Sequence, residues 1–243
     1  MIKLGLIGKN IDYSFSRKYF TEKFERETIE GHYSNFDCQS IDQIKELFKN
    51  RKDCAGFNVT IPYKQAVVPF LDDMNKHASA IGAVNTIKRQ HNGKLKGFNT
   101  DYVGFRKSLQ PFLKHSSHNH ALILGTGGAS KAVAYALELE DIYYKYVSRT
   151  PKKGQISYTE INGALLSKYS LIINTTPLGT HPNITNCPKL PYRALTKAHL
   201  LYDLVYNPAE TQFLKNGREQ GAQTVNGLEM LKLQAEAAWK IWN

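Results

Sequence analysis

A chain of 243 residues with 42% hydrophobic content can form one substantial core or two smaller ones. Its formal net charge of +11 attracts anions in general. The lysines are dispersed, however, and neither a DNA recognition-helix pattern nor an RNA-binding aromatic signature is present, so nucleic acid is not an expected partner. Cys38, Cys54 and Cys187 are odd in number and form no CxxC pair, which argues against a disulfide framework and fits a reducing compartment. The opening apolar run, residues 1–8, is too short for a signal peptide, and no stretch approaches the ~18 apolar residues of a membrane span. A soluble cytoplasmic protein without a membrane partner is expected.

In chain order, residues 3–8 read as a short buried strand and 16–27 as a helix. Residues 32–36 read as a second strand. The apolar spacing of Ile41, Ile44, Leu47 and Phe48 predicts an amphipathic helix over 41–49. A third strand, 56–60, is stopped by Pro62, and 72–81 has helical character. Residues 83–89 and 95–98 flank Asn92-Gly93, a strong hairpin signal.

From residue 101 the pattern becomes regular. A helix is expected to about 113, then a polar loop containing His115, His118 and His120. Strands are expected at 121–124, 144–147, 171–174, 200–204 and 223–225, with helices at 130–139, 211–220 and 228–242. Short strands alternating with helices predict an α/β protein with a parallel, doubly wound sheet in its second half. The first half reads as a mixed α/β lobe with a hairpin. The three loop histidines lack a nearby cysteine or acid, so a solvated loop and no metal site are expected.

Residues 122–130, Leu-Ile-Leu-Gly-Thr-Gly-Gly-Ala-Ser, read as strand, glycine loop and helix start. Glycines let backbone N–H groups approach a pyrophosphate, and a helix N-terminus favours its charge. A glycine turn before a helix also serves plain packing, and the spacing is G-x-G-G, not G-x-G-x-x-G. The buried strand before it and the Ala/Val-rich helix after it favour a dinucleotide site at Gly125, Thr126, Gly127, Gly128 and Ala129.

The next strand discriminates between dinucleotides. An NAD site places an acid near its end to accept from the ribose 2′-OH. Here that strand runs into Ser148-Arg149-Thr150-Pro151-Lys152-Lys153, with no acid. Arg149 and Lys153, with the Ser148 and Thr150 hydroxyls, suit a 2′-phosphate. The alternative is a solvated basic turn; its coincidence with the correct strand end favours NADP as cofactor.

Polar clusters stand at Ser14-Phe15-Ser16, Asn58-Val59-Thr60-Ile61-Pro62-Tyr63-Lys64, Ala83-Val84-Asn85-Thr86 and Gly97-Phe98-Asn99-Thr100-Asp101. Each alone could be a cap or a surface group. Together, the last three resemble the N-V-T-x-P-[FY]-K, G-A-V-N-T and G-x-N-T-D segments of the shikimate dehydrogenase family. Asn174-Thr175-Thr176-Pro177-Leu178-Gly179, Tyr202-Asp203-Leu204-Val205-Tyr206, and Gly227-Leu228-Glu229-Met230-Leu231 with Gln234 are similar to three later landmarks of that family, in order.

The resemblance implies a substrate lobe, 1–100 with 227–243, and a Rossmann-like NADP lobe, 101–226, with the last helix returning to the first lobe. It implies Lys64 and Asp101 as the catalytic pair in oxidising the shikimate 3-hydroxyl, with hydride passing to NADP⁺. Ser14, Ser16, Thr60, Lys64, Asn85, Asp101, Tyr206 and Gln234 would contact shikimate, and Leu204 and Gly227 would lie near the nicotinamide. The family's H-S-x-S-P is Tyr13-Ser14-Phe15-Ser16-Arg17 here, so both serines remain and their flanks differ. Other readings are a broader-range quinate/shikimate dehydrogenase, a methylenetetrahydrofolate dehydrogenase, and an inactive Rossmann-type binding protein. The Ser14/Ser16 pair and the Asn-Thr-Asp segment fit the folate enzyme poorly. The assembly is expected to be a monomer or homodimer.

Overall fold

The structure is a computed structural model describing residues 1–12, 14–114 and 117–243. Tyr13, on the flank of the serine pair, and His115 and Ser116, in the histidine loop, lie outside the described residues. The chain divides into two compact units, Met1–Thr100 with Ala235–Asn243, and Asp101–Gln234.

The first unit holds a six-stranded mixed sheet. Strands β1 (Ile2–Gly8), β2 (Gly31–Asp37) and β3 (Gly56–Val59) run parallel, β2 and β3 flanking β1. Beyond β3 come β5 (Thr86–Arg89), antiparallel to both neighbours, β6 (Leu95–Phe98) and the two-residue β4 (Asp73–Met74) at the edge. The alternation of β1 divides its side chains between two cores. Leu4 and Leu6 face Phe20 and Phe24 of α1 (Phe15–Arg26), together with Ala235, Ala238 and Trp242 from the end of the last helix. Ile7 faces the other way, toward Ile44 and Phe48 of α2 (Ile41–Asn50). Both helices start on serines: Ser14 accepts from the Arg17 N–H and Ser40 from the Gln43 N–H.

The second unit is an all-parallel six-stranded sheet. Its strands are β7 (His120–Leu124), β8 (Tyr143–Ser148), β9 (Ile156–Ser157), β10 (Leu171–Asn174), β11 (Leu200–Asp203) and β12 (Gln223–Val225), in the order β12-β11-β10-β7-β8-β9. The strand order reverses between β7 and β10, so the crevice at their carboxyl ends is the expected ligand position of such a sheet. One face is covered by α4 (Asp101–Leu109) and α5 (Gly128–Glu138), packed through Phe105, Leu109, Val133 and Leu137. The other carries α6 (Gly163–Lys168) and α7 (Gln212–Glu219), through Leu166, Phe213 and Leu214.

The final helix, α8 (Leu228–Trp242), is continuous across the division between the units. Its first turns lie against α4, where any side chain at Gly104 would press on Met230 O and Gln234. The compact division therefore falls at 234/235, within a helix that the sequence reading assigned whole to the first lobe.

Three expected elements differ. Residues 72–81 do not form one helix. Asp72 exchanges two hydrogen bonds with Leu95, drawing β4 onto β6, and α3 (Lys76–Ile81) starts only after Asn75 caps it by accepting from Ala78 N–H. The strand expected from 83 begins at Thr86, because Gly82 (φ +67°) ends α3 and residues 83–85 connect it to β5, with Val84 N bonded to Lys64 O. The helix expected to 113 stops at Leu109, where Pro111 enforces a 3-10 turn. The short β9 and α6 went unread, since two and six residues carry too little periodicity. The hairpin forms as expected, with Gly93 at φ +81°. His118 corrects the reading of its loop as solvated: it is buried, accepts from the Lys114 N–H at 3.1 Å, and its burial lowers the imidazole pKa.

Candidate functional site

In the first unit the polar clusters converge at the carboxyl ends of β1 and β3. Backbone bonds from Val59 N to Asn85 O (2.8 Å) and from Val84 N to Lys64 O (2.7 Å) tie the Thr60–Lys64 turn to the Asn85 segment. Thr60 N donates to Ile7 O at 2.8 Å. Tyr63 is buried beneath the turn, donating to the Cys38 carbonyl at 2.6 Å. Lys64 itself is half-buried.

Beside this turn runs a buried row of hydrogen-bonded side chains. The Tyr33 hydroxyl donates to Asn58 Oδ1 at 2.7 Å. Asn58 Nδ2 donates to Asn85 O and Thr86 Oγ1, both at 3.2 Å. Asn85 Nδ2 donates to Thr100 Oγ1 at 2.9 Å and its Oδ1 accepts from Thr100 N at 2.6 Å. Each of these residues is at least nine-tenths buried. Buried polar groups cost free energy unless satisfied, so a satisfied row holds its members in one arrangement. Ser14, half-buried, is the α1 cap, and Ser16 is buried in the first turn of that helix. The first unit thus brings together Thr60, Lys64 and Asn85. Sequence reasoning missed Tyr33, which belongs to no motif and whose only local signal is an aromatic in a strand.

In the second unit the glycine loop leaves β7 at the strand-order reversal. Gly125 has φ +107°, and a Cβ there would meet Thr175 Oγ1 at 2.9 Å and Thr176 Cγ2 at 3.0 Å, the loop leaving β10. Gly127 caps α5 without a side-chain acceptor, and the space where its Cβ would stand is open. Thr126 is exposed, Gly128 and Ala129 are half-buried in the first turn of α5, and Ser130 Oγ anchors the turn by donating to Gly127 O at 2.7 Å. At the end of β8, Ser148 Oγ accepts from Thr150 N at 3.2 Å, and Arg149, Thr150 and Lys153 are exposed.

The exits of β10 and β11 are joined by a fully buried carboxylate. Asp203 Oδ1 accepts from Asn174 Nδ2 at 2.9 Å and from Val205 N at 3.0 Å, and Oδ2 accepts from Thr211 Oγ1 at 2.6 Å. Burial pushes its carboxyl up to about 6, against the lowering effect of these three donors. Leu204 follows, half-buried, and its carbonyl lies so close to Gly227 that any side chain there would overlap it. Tyr206 is half-buried two residues on.

Asp101 opens α4, buried, one turn before Gly104, and Gln234 is buried on α8 against Gly104, donating to Leu231 O at 2.9 Å. Lys64 belongs to the first unit, and Asp101, Tyr206 and Gln234 to the second. Among the described residues no group of three or more His, Cys, Asp or Glu is arranged to hold a metal ion, and no helix is long and apolar enough to cross a membrane.

Residues 6–87 match the family model of the shikimate dehydrogenase substrate binding domain. The chain is 38% identical over 252 residues to the shikimate dehydrogenase (NADP(+)) of Clostridium botulinum strain Hall, covering 100% of this chain and 96% of that protein. A shikimate dehydrogenase solved in complex with NADP⁺ superposes with a TM-score of 0.90 at 33% identity, covering 100% of this chain and 90% of that one. The enzyme from Thermus thermophilus, solved with NADP(H) and shikimate, gives a TM-score of 0.87 at 29% identity, with 100% and 94% covered. With a substrate-domain match in its first unit and a doubly wound parallel sheet in its second, this chain belongs to the shikimate dehydrogenase family.

Proposed function

We propose that the protein interconverts shikimate and 3-dehydroshikimate with NADP(H), a step of aromatic amino acid (chorismate) biosynthesis. The observation that carries this reading is the buried row from Tyr33 through Asn58 and Asn85 to Thr100, beside the Thr60–Lys64 turn. It keeps hydroxyl and amide groups fixed in one arrangement, as a small ring bearing a carboxylate and several hydroxyls requires.

The second unit fits the dinucleotide. Open space over Gly127 and an α5 N-terminus without a side-chain acceptor suit a pyrophosphate. Ser148, Arg149, Thr150 and Lys153, without an acid, suit a 2′-phosphate. Bound NADP(H) supplies or accepts the hydride. In this reading Ser14 and Ser16 bind the carboxylate, Thr60, Asn85, Tyr206 and Gln234 hold ring hydroxyls, and Leu204 and Gly227 border the nicotinamide.

Lys64 takes the proton of the 3-hydroxyl during oxidation and returns it during reduction, with Asp101 orienting the hydroxyl. The substrate domain is 1–100 with 227–243 and the cofactor domain 101–226. The protein acts in the cytoplasm as a monomer or homodimer on a small-molecule substrate, with no nucleic-acid partner.

The test is the initial rate of nicotinamide reduction with shikimate and NADP⁺, with NAD⁺ and quinate run in parallel. Fast turnover with shikimate and NADP⁺ alone is expected. Comparable rates with quinate or NAD⁺ would replace this reading with the broader-range enzyme. No turnover with any pair would mean the scaffold has lost the chemistry.

A further inference from the structure

We propose that Asp203 is a positioning residue for the dinucleotide, acting through Asn174 on the Thr175–Thr176 loop. The inference rests on the second unit being the cofactor-binding unit.

Asn174 and Asp203 are register partners, the last residues of the parallel strands β10 and β11. Parallel register places both side chains on the same side of the sheet. Their contact, Asn174 Nδ2 to Asp203 Oδ1 at 2.9 Å, leaves the Asn174 carbonyl oxygen pointing onward into the loop. There it accepts from Thr176 N at 3.0 Å and from Thr176 Oγ1 at 2.6 Å. Thr175 is held by its own two bonds to Leu124 O, from N at 3.0 Å and from Oγ1 at 2.7 Å. The loop so fixed is the one pressed against Gly125, at the strand-order reversal.

Asp203 also holds the neighbouring segment, the exit of β11. Its bond to Val205 N at 3.0 Å fixes the chain leaving β11, and Leu204 N donates to Asn174 O at 3.0 Å. One carboxylate thus sets the positions of Thr176 and of Leu204–Val205. The third donor, Thr211 Oγ1, is the N-cap of α7, so the carboxylate is anchored to a rigid element. Asn174 is oriented by Asp203: an amide without this acceptor could turn over and present Nδ2 to Thr176 in place of Oδ1.

A carboxylate with no exposed surface is a costly device for joining two strand ends that the sheet already pairs. Fixing the orientation of one amide at the ligand crevice is something the sheet hydrogen bonds cannot do.

The test is calorimetric titration of the full chain with NADP⁺, and separately with shikimate, for wild type, Asp203→Ala, Asp203→Asn, Asn174→Ala and the double alanine variant. Asp203→Ala and Asn174→Ala should each weaken NADP⁺ binding by about tenfold, a ~1.4 kcal/mol loss. Shikimate binding should stay within about twofold, and the double variant should be no weaker than the worse single one, because both act on one path. Asp203→Asn, which keeps an acceptor for Asn174 and Val205, should recover most of the affinity. A merely structural role would lower the folded fraction and leave the NADP⁺ constant of folded protein unchanged. That result, or equal losses for both ligands, overturns the proposal. If Asp203→Ala does not fold, Asn174→Ala decides alone. Wild-type protein that binds neither NADP⁺ nor NAD⁺ would instead overturn the cofactor reading, and this inference with it.

Discussion

The indole N–H of Trp242 donates to the carbonyl of Ile87 at 2.9 Å, joining the last turn of α8 to the centre of the first unit's sheet. Gly56, on the neighbouring strand β3, makes room for it; a Cβ there would overlap the indole. Trp242 also packs on Phe20 at a centroid distance of 5.5 Å. Trp242→Ala should therefore destabilise the protein by about 3–5 kcal/mol, and Gly56→Ala by about 1–3 kcal/mol through overpacking. Urea denaturation checks both. A Gly56→Ala protein as stable as wild type would mean the indole can move aside freely.

Lys64 is fixed by its backbone bond to Val84 and stands beside the buried polar row. Lys64→Met should lower turnover by about 10²–10⁴-fold, the usual contribution of a positioned acid or base. Shikimate binding should persist. Near-normal turnover in this variant would remove Lys64 from the proton-transfer role.

Arg149 stands exposed at the end of β8, where no acid competes for a 2′-phosphate. Arg149→Ala should weaken NADP⁺ binding by about 10–100-fold, as expected for a charge-assisted bond of ~1.5–3 kcal/mol. NAD⁺ binding should be unaffected. Titration with both dinucleotides checks this, and equal losses would show that Arg149 does not read the 2′-phosphate.

Asp203 makes stability depend on pH. Its folded pKa, about 6, lies above the ordinary carboxylate value, so the folded state binds the proton more tightly than the unfolded one. The stability it contributes is complete below pH ~4 and is lost as pH rises through about 6, roughly 3 kcal/mol in all. Buried His118 works in the opposite direction: its pKa is lowered, so the stability it contributes is present above pH ~6.5 and is lost as pH falls. Denaturation of wild type and Asp203→Asn from pH 4 to 7 separates the two. The wild type should lose stability relative to the variant as pH rises, and parallel curves would contradict the assignment.

The sequence by itself determined the elements and the motifs, because their causes are local. The parallel strands of the second unit are short apolar runs between turn residues, and β10, β12 and α8 begin and end where the pattern places them. The glycine loop, the basic end of β8 and the polar clusters are contiguous segments, so their chemistry is legible residue by residue. Local cues failed where a distant partner overrode them. Residues 72–81 have helical composition, but the bonds between Asp72 and Leu95 draw their start into a sheet.

Only the tertiary structure decided which polar groups share a site. Tyr33 meets Asn58 across 25 positions, and Asn174 meets Asp203 across 29, through strand order and register that no single segment encodes. The division at 234/235 is of the same kind: α8 is one uninterrupted helical pattern in sequence, and only its packing neighbours, Gly104 at one end and Phe20 at the other, assign its two parts to different units. A buried polar group must find a partner wherever the fold supplies one, and sequence spacing carries no record of that choice.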